Sequence, residues 1–181
     1  CRWNASEARK KEFRPLTWCE DAEGRGAWQW IAWETPRPLY HLDLIAQRAE
    51  AGIVVVEGEK AADAAGALLP ASVATCWPNG AASADKADFR ACKGRRVLLW
   101  CDHDEPGTKA MQTAAKALRK AGAAEVKSIN LALFESQTVN AQGQIVPRLA
   151  LLPAGRDGAD ALAEGWTPEA LAELLARDDA L

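Results

Sequence analysis

Short apolar runs alternate with helical patterns along the chain from residue 51 onward. Four of these runs are typical of buried strands: residues 53–56, 73–77, 97–101 and 126–131. After the first run, one face of a predicted helix carries Ala62, Ala65, Leu68 and Leu69, and Pro70 ends it. Because strands and helices alternate, we predict an α/β fold with a parallel sheet flanked by helices.

Other helices are marked by their ends. A short helix is predicted over residues 43–50, and a longer one begins at Pro106 and ends at Gly122. The last helix has Thr167 as its N-cap and Pro168 in its first turn. Residues 133–152 interrupt the alternation, and the turn residues at 140–143 predict an inserted hairpin there.

The first 40 residues have a different pattern from the rest. Five of the eight tryptophans lie there: Trp3, Trp18, Trp28, Trp30 and Trp33. Imperfect alternation around a turn at residues 24–26 predicts a small N-terminal antiparallel β subdomain. We therefore predict a β subdomain with a linker over residues 1–40, a main domain over 41–165 and a C-terminal helix over 166–181.

Composition narrows the class of protein. The 181 residues suffice for one domain with a sizeable core, and no apolar run is long enough to span a membrane. The five cysteines are scattered without metal-ligand spacing, and Cys76 and Cys101 lie in apolar runs, so we expect reduced core thiols and a cytoplasmic setting. Because the chain begins at Cys1, we expect it to be a piece of a longer protein.

The net charge of −3 is unevenly distributed. The last 29 residues carry two basic and seven acidic side chains, so the acidity is concentrated at the C-terminal end. The remainder is close to neutral and can still present a local basic face. Charge alone therefore does not exclude binding to nucleic acid.

Carboxylates follow two of the predicted strands. Glu57 comes directly after residues 53–56, and Asp102 and Asp104 follow residues 97–101. In open α/β sheets, ligands bind at the carboxyl ends of the strands. Asp102 and Asp104 are two apart in an extended segment, so both point the same way and can reach one hard cation. The sequence predicts a Mg²⁺ site for phosphate chemistry.

Purely structural roles are the alternative for these acids. Asp104 could cap the following helix while Asp102 faces water, and Glu57 could cap the helix that follows it. The apolar run before each acid and the glycines Gly58 and Gly107 favour the functional interpretation, because glycine lets the backbone turn sharply or approach a ligand.

These spacings resemble the Toprim domain, which is shared by DnaG-type primases, type IA and type II topoisomerases, OLD-family nucleases and RecR proteins. The resemblance covers roughly residues 51–165 and rests on three motifs: Glu57-Gly58, Asn79-Gly80 and Asp102-x-Asp104-x-x-Gly107. Residues 56–63 and 102–109 look most like primases or primase–helicases of phages and mobile elements. Asp157 and Asp160 resemble a later acidic motif of those primases, and residues 1–40 resemble the segment that precedes Toprim in them.

The resemblance implies a Toprim (Rossmann-like) fold and a nucleotidyltransferase that makes RNA primers on single-stranded DNA during replication. It implies Mg²⁺, or Mn²⁺, as cofactor, with a single-stranded DNA template, NTPs and a fused or separate replicative helicase as partners in a bacterial or phage-infected cell. The implied catalytic acids are Glu57, Asp102 and Asp104. The implied metal ligands are these three with Asp157 and Asp160. Candidate nucleotide or phosphate contacts are Lys60, Asn79, Gly80, Lys86 and Lys109.

The sequence departs from the primase pattern at one position. Primases usually carry another acid four residues after the glutamate, but Ala61 occupies that position here. Asp63 lies about 200° around the helix from position 61 at ~100° per residue, so we expect it to face elsewhere. His103 lies between two acids, but alternation points it to the opposite side, and we do not expect it to bind metal.

A second possible nucleic-acid surface lies near the N-terminus. The basic residues Arg9, Lys10, Lys11 and Arg14, interleaved with aromatic residues, could bind the phosphates and bases of a single strand. The alternative is a small hairpin whose aromatic residues pack inward.

Two other functions compete with a primase: a metal-dependent nuclease using the same acids, and a non-catalytic module that binds single-stranded nucleic acid. A topoisomerase is disfavoured because it needs a catalytic tyrosine, and the single tyrosine of this chain, Tyr40, lies in a linker.

Overall fold

The N-terminal part of the chain consists of two antiparallel strand pairs. A computed structural model describes residues 15–149 and 151–181, together with the backbone of residues 2–3 and 12–13. The strands are β1 (Arg2–Trp3), β2 (Glu12–Phe13), β3 (Thr17–Glu20) and β4 (Gly26–Gln29). β1 pairs with β2, and β3 pairs with β4. The predicted antiparallel β subdomain is confirmed.

The central sheet has four parallel strands. Its elements in chain order are α1 (Leu42–Gln47), β5 (Gly52–Val56), α2 (Glu59–Leu68), β6 (Ser72–Cys76), β7 (Arg96–Leu99), α3 (Glu105–Lys120) and β8 (Glu125–Ser128). The strand order is β6-β5-β7-β8, and every pairing is parallel. Two 3-10 helices that the sequence did not predict, Ala81–Lys86 and Phe89–Cys92, connect β6 to β7. The predicted α/β fold class is confirmed.

The sheet separates two apolar layers. Side chains alternate along β5, so that Val54 and Val56 pack on the layer under α2, whereas Ile53 and Val55 pack on the layer under α3. Because both faces are covered, β5 consists almost entirely of buried apolar residues. Trp77 and Trp100 are each 1% exposed, as expected for core residues. Cys76 and Cys101 are also buried, with free thiols.

The C-terminal part adds a hairpin and three short helices. Its elements are α4 (Ala132–Ser136), β9 (Gln137–Val139), β10 (Ile145–Pro147), α5 (Gly158–Ala163) and α6 (Pro168–Leu175). β9 and β10 form an antiparallel hairpin within the predicted insertion, and Thr167 caps α6 as predicted. The sequence did not predict α4 or α5. None of the helices in the described part of the chain could cross a membrane.

Candidate metal-binding site at the carboxyl edge of the sheet

Three of the predicted acids meet where β5 and β7 end. Glu57 directly follows β5, and Asp102 and Asp104 follow β7, its neighbour in the sheet. Since parallel strands end at the same edge, these residues lie together although 45 positions separate Glu57 from Asp102. The backbone N–H of Asp102 donates to Oε1 of Glu57 at 3.2 Å, which orients the glutamate at this edge.

A second acidic segment reaches the same edge from the C-terminal part of the chain. The N–H of His103 donates to the carbonyl of Arg156 at 2.9 Å, and the N–H of Gly155 donates to the carbonyl of His103 at 3.1 Å. These two bonds hold residues 155–156 beside the Asp102–Asp104 segment and bring Asp157 close to the other carboxylates. Gly155 and Arg156 were not predicted as site residues, because no motif or periodicity marks a partner this distant in the chain.

Burial and mutual repulsion perturb the acids of this cluster. Burial raises the pKa of Asp102 to about 7, with further contributions from the negative charges of Glu57, Asp157, Asp104 and, last, Asp160. Burial also raises the pKa of Glu57, and the charges of Asp104 and Asp157 act in the same direction. The hydrogen bond from Asp102 N–H opposes this shift only in part.

Backbone donors occupy one oxygen of several of these carboxylates. Oδ1 of Asp104 accepts from the N–H of Gly107 at 2.7 Å, so Asp104 does cap α3, the structural role considered for it above. Asp157 and Asp160 form a capping box at the start of α5. In each of these three side chains the second oxygen has no hydrogen-bond donor among the described residues, and these oxygens are available to a ligand.

Because Gly107 has no side chain, there is room beside it for the carboxylates of Glu57 and Asp104. A Cβ atom at this position would lie 2.5 Å from Oε1 of Glu57, 2.8 Å from the carbonyl oxygen of Asp102 and 3.0 Å from Oδ1 of Asp104. The first two distances are too short for a carbon atom, and the third is tight. The glycine is therefore required for α3 to begin this close to the acids.

The donor chemistry of the cluster fits a hard divalent cation. All of its side-chain donors are carboxylate oxygens, the ligands that Mg²⁺ prefers. Within the described residues, no ion pair with a lysine or an arginine is formed by the carboxylates of Glu57, Asp102, Asp104 and Asp157, or by that of Asp160 beside them. In the same part of the chain, no three His, Cys, Asp or Glu side chains are close enough to bind one ion together. The acids therefore lie along one edge of the sheet, and their side chains would have to move closer together for three of them to bind one ion.

The packing of α2 explains why alanine fits at position 61. Ala61 is 3% exposed and lies on α2 where that helix packs against α5. A Cβ atom at Gly158 would lie 3.4 Å from the carbonyl oxygen of Ala61, so the two helices are in contact there. Asp63 does not replace the acid, because it is exposed and accepts a hydrogen bond from the Tyr40 hydroxyl at 3.1 Å.

The remaining candidate residues have other partners or are exposed. His103 faces Glu135, with Nε2 3.5 Å from Oε1. Lys109 is exposed and pairs with Glu105 at 2.6 Å. Three other candidates are exposed: Lys60, Lys86 and Asn79. Gly80 is exposed too, and its carbonyl accepts from Nε1 of Trp77 at 2.8 Å.

The basic residues of the N-terminal segment, Arg9, Lys10, Lys11 and Arg14, lie outside the described residues. The nearby tryptophans of the described part are not packed inward. Trp28 is 64% exposed, Trp18 is 49% exposed, and their rings meet edge to face with centroids 5.5 Å apart.

Comparison with known proteins gives similarities of fold at low sequence identity. No protein-family model and no curated protein matches the chain. The primase fragment of the bacteriophage T7 primase-helicase protein is similar over 86% of this chain, with a TM-score of 0.49 and 21% identity. A second similar structure comes from a bacteriophage T7 assembly. It contains the lagging-strand DNA polymerase and primase domains of two gp4 subunits, bound to an RNA/DNA hybrid and dTTP. The similarity covers 64% of this chain, with a TM-score of 0.42 and 23% identity.

The chain spans 55% and 58% of the lengths of those two chains.

Proposed function

We propose that this chain is the catalytic Toprim-type domain of a DNA primase, which joins NTPs into short RNA primers on single-stranded DNA. The observation that carries the proposal is the cluster of Glu57, Asp102, Asp104 and Asp157 at the carboxyl edge of the sheet. These acids are held close together at the expense of raised pKa values for Glu57 and Asp102, and no cationic side chain in the described residues neutralises them. Such an arrangement is typical of a site that binds a metal cation.

In this proposal, the side chains of Glu57, Asp102 and Asp104 converge on Mg²⁺ when it binds, and Asp157 and Asp160 contribute to the same site or to a second one. Bound Mg²⁺ supplies charge neutralisation for the triphosphate and activation of the primer 3′-hydroxyl. The backbone N–H of Asp102 keeps Glu57 turned toward this edge.

The exposed residues beside the acids are candidates for binding the incoming nucleotide. Lys60 and Lys109 would contact its phosphates, and the turn of Asn79 and Gly80 would approach it with its backbone. The partners proposed for the whole protein are single-stranded DNA, NTPs and a replicative helicase, either fused or separate.

A primer-synthesis assay tests the catalytic assignment. The full protein that contains this chain is incubated with single-stranded template, NTPs and Mg²⁺ or Mn²⁺, as wild type and as Asp102→Ala and Asp104→Ala variants. We expect primer synthesis by the wild type and its loss in both variants. Asp63→Ala is the matched control, since Asp63 is an exposed acid that contacts Tyr40 and His41. Undiminished synthesis by the Asp102 and Asp104 variants would refute the assignment.

The same preparations separate the competing functions. Metal-dependent nicking of plasmid DNA without NTPs, lost in the Asp102→Ala variant, would identify a nuclease. Binding of single-stranded DNA, with equal Mg²⁺ affinity in the wild type and the Asp102→Ala variant, would identify a non-catalytic module.

A further inference from the structure

A buried arginine lies directly before the acid Asp157. Arg156 is 3% exposed, yet its side chain is turned toward Glu164 at the end of α5. Nε and Nη2 donate to the two carboxylate oxygens of Glu164 at 3.0 and 2.7 Å. The guanidinium carbon lies 4.7 Å from the centroid of the Phe134 ring. The side chain is thus held by a two-point ion pair and by an aromatic face.

Glu164 is shared with a second arginine. Nη2 of Arg148, which follows the β9–β10 hairpin, donates to Oε2 of Glu164 at 2.7 Å, and its Nε donates to the carbonyl of Phe134 at 2.7 Å. Burial alone would raise the pKa of Glu164, but the hydrogen bonds from Arg156 and Arg148 lower it below its ordinary value. The glutamate is therefore ionised and binds both arginines at neutral pH.

The main chain of Arg156 is bound to the backbone between Asp102 and Asp104, while its side chain is bound to Glu164. Its carbonyl accepts from the N–H of His103, the residue between Asp102 and Asp104, and Gly155 donates back to the His103 carbonyl. A Cβ atom at Gly155 would lie 3.7 Å from Oδ2 of Asp104. The turn at residues 155–157 thus touches the cluster on one side and is anchored by the Arg156 side chain on the other.

We infer that Arg156, held by Glu164, is a positioning residue for the metal site. The inference rests on the proposed function, because it concerns how Asp157 is delivered to the acids of that site. The free energy needed to keep Asp157 beside Asp102 and Glu57, against their mutual repulsion, comes from the buried ion pair on the opposite side of the turn. Groups that orient metal ligands change metal affinity by about 10- to 100-fold when they are removed.

An arginine side chain that only stabilises the fold would behave differently. Arg95 provides the matched comparison: its guanidinium donates to the carbonyls of Ala51, Ile45 and Arg48, at the other edge of the sheet. Its removal should weaken the fold without changing the acidic cluster. A change in metal affinity that is specific to Arg156 therefore separates positioning from general stability.

The experiment compares four forms of the protein: wild type, Arg156→Met, Arg156→Lys and Arg95→Met. Mn²⁺ affinity is measured by electron paramagnetic resonance, and exchange of the His103 amide hydrogen is measured without metal, both at a temperature where every form is folded. We expect Arg156→Met to lower Mn²⁺ affinity by about 10- to 100-fold and to speed exchange of the His103 amide at least as much. Arg156→Lys keeps one charged contact to Glu164 and should recover part of both losses.

The outcomes distinguish this inference from the proposed function. Equal effects of Arg156→Met and Arg95→Met on Mn²⁺ affinity, or no effect of Arg156→Met, would overturn the positioning role. An Asp102→Asn variant tests the metal site itself. If Asp102→Asn leaves Mn²⁺ affinity unchanged, the proposed metal site fails, and the amide exchange of His103 alone then decides whether Arg156 fixes the turn.

Discussion

The two edges of the central sheet carry charged groups of opposite sign in opposite environments. At the amino edge, the Arg95 guanidinium donates to three backbone carbonyls that β5 and α1 leave there. At the carboxyl edge, Glu57, Asp102 and Asp157 repel one another, and the pKa of Asp102 is raised to about 7. The amino edge is arranged for stability, whereas the carboxyl edge retains unfavourable electrostatic energy that a bound cation would relieve.

The largest effect is expected from Asp102→Asn, which removes one charge from the carboxyl edge with little change in shape. We expect primer synthesis to fall at least ~100-fold, equivalent to ~2.7 kcal/mol of activation free energy. We expect the same variant to unfold at a higher urea concentration, because a buried repulsive carboxylate is gone. The two measurements are primer yield and urea unfolding. Loss of both activity and stability would contradict the claim that the carboxyl edge retains unfavourable electrostatic energy.

Arg95→Met tests the amino edge. The substitution leaves the carbonyls of Ala51, Ile45 and Arg48 without their charged donor, so we expect the free energy of unfolding to drop by ~2–3 kcal/mol. Primer synthesis by the folded fraction should be unchanged, because Arg95 is remote from the acids. Urea unfolding and an activity assay at a permissive temperature measure the two effects. A selective loss of activity would show that the two edges are coupled.

Gly107→Ala perturbs the carboxyl edge by shape rather than by charge. The new methyl group would meet Oε1 of Glu57 at 2.5 Å, and we expect a loss of ~1–3 kcal/mol in stability together with weakened Mn²⁺ binding. Gly66→Ala in α2 is the matched control, because its nearest contact would be an ordinary 3.7 Å to Cβ of Ala74. That variant should gain ~0.5–1 kcal/mol from higher helix propensity. Equal effects of the two substitutions would argue against close packing at Gly107.

The pH dependence of stability sharpens the comparison in the metal-free protein. The pKa of Asp102 is higher in the folded chain, about 7, than its ordinary value of 3.8, so the folded state binds the proton more tightly. Stability should therefore fall as pH rises from about 4 to about 7 and then level off. The raised pKa of Glu57 acts in the same direction. Urea midpoints at pH 5 and pH 8 measure this slope, which should shrink in Asp102→Asn and on addition of Mg²⁺.

The smallest effect on stability is expected from Lys109→Ala. The ion pair of Lys109 with Glu105 has a short distance, 2.6 Å, but both side chains are more than 70% exposed, so its loss should not measurably change urea unfolding. If Lys109 contacts a nucleotide phosphate, the KM for NTPs should rise while kcat changes little. An unchanged KM would remove Lys109 from the nucleotide site.

Much of the carboxyl edge could be predicted from sequence because the signals are local. An apolar run followed by an acid indicates both a buried strand and the position where it ends, as at Glu57 and Asp102. The capping residues Asp104 and Thr167 act on amides within three positions of themselves, and both were recognisable from sequence. The continuous apolar run of β5 likewise needs only neighbouring residues for its detection.

The unpredicted features depend on contacts between distant segments. Helix α4 is a single short turn whose Leu133 and Phe134 are buried by the rest of the fold, so it has too few residues for a periodic signal. The turn containing Arg156 has no motif of its own, and it becomes part of the site only through His103. The presence of alanine at position 61 was visible in the sequence, but the close packing of α2 against α5 there was not.

The sequence by itself determined the four parallel strands, the helices α2, α3 and α6, the fold class and the acids at the strand ends, because period, capping and chain direction act over a few residues. Only the tertiary structure decided which acids share one edge, which oxygens the backbone occupies, and how a buried arginine holds Asp157 in place. Those properties depend on burial and on the distances between charges, and both arise only when distant segments pack together.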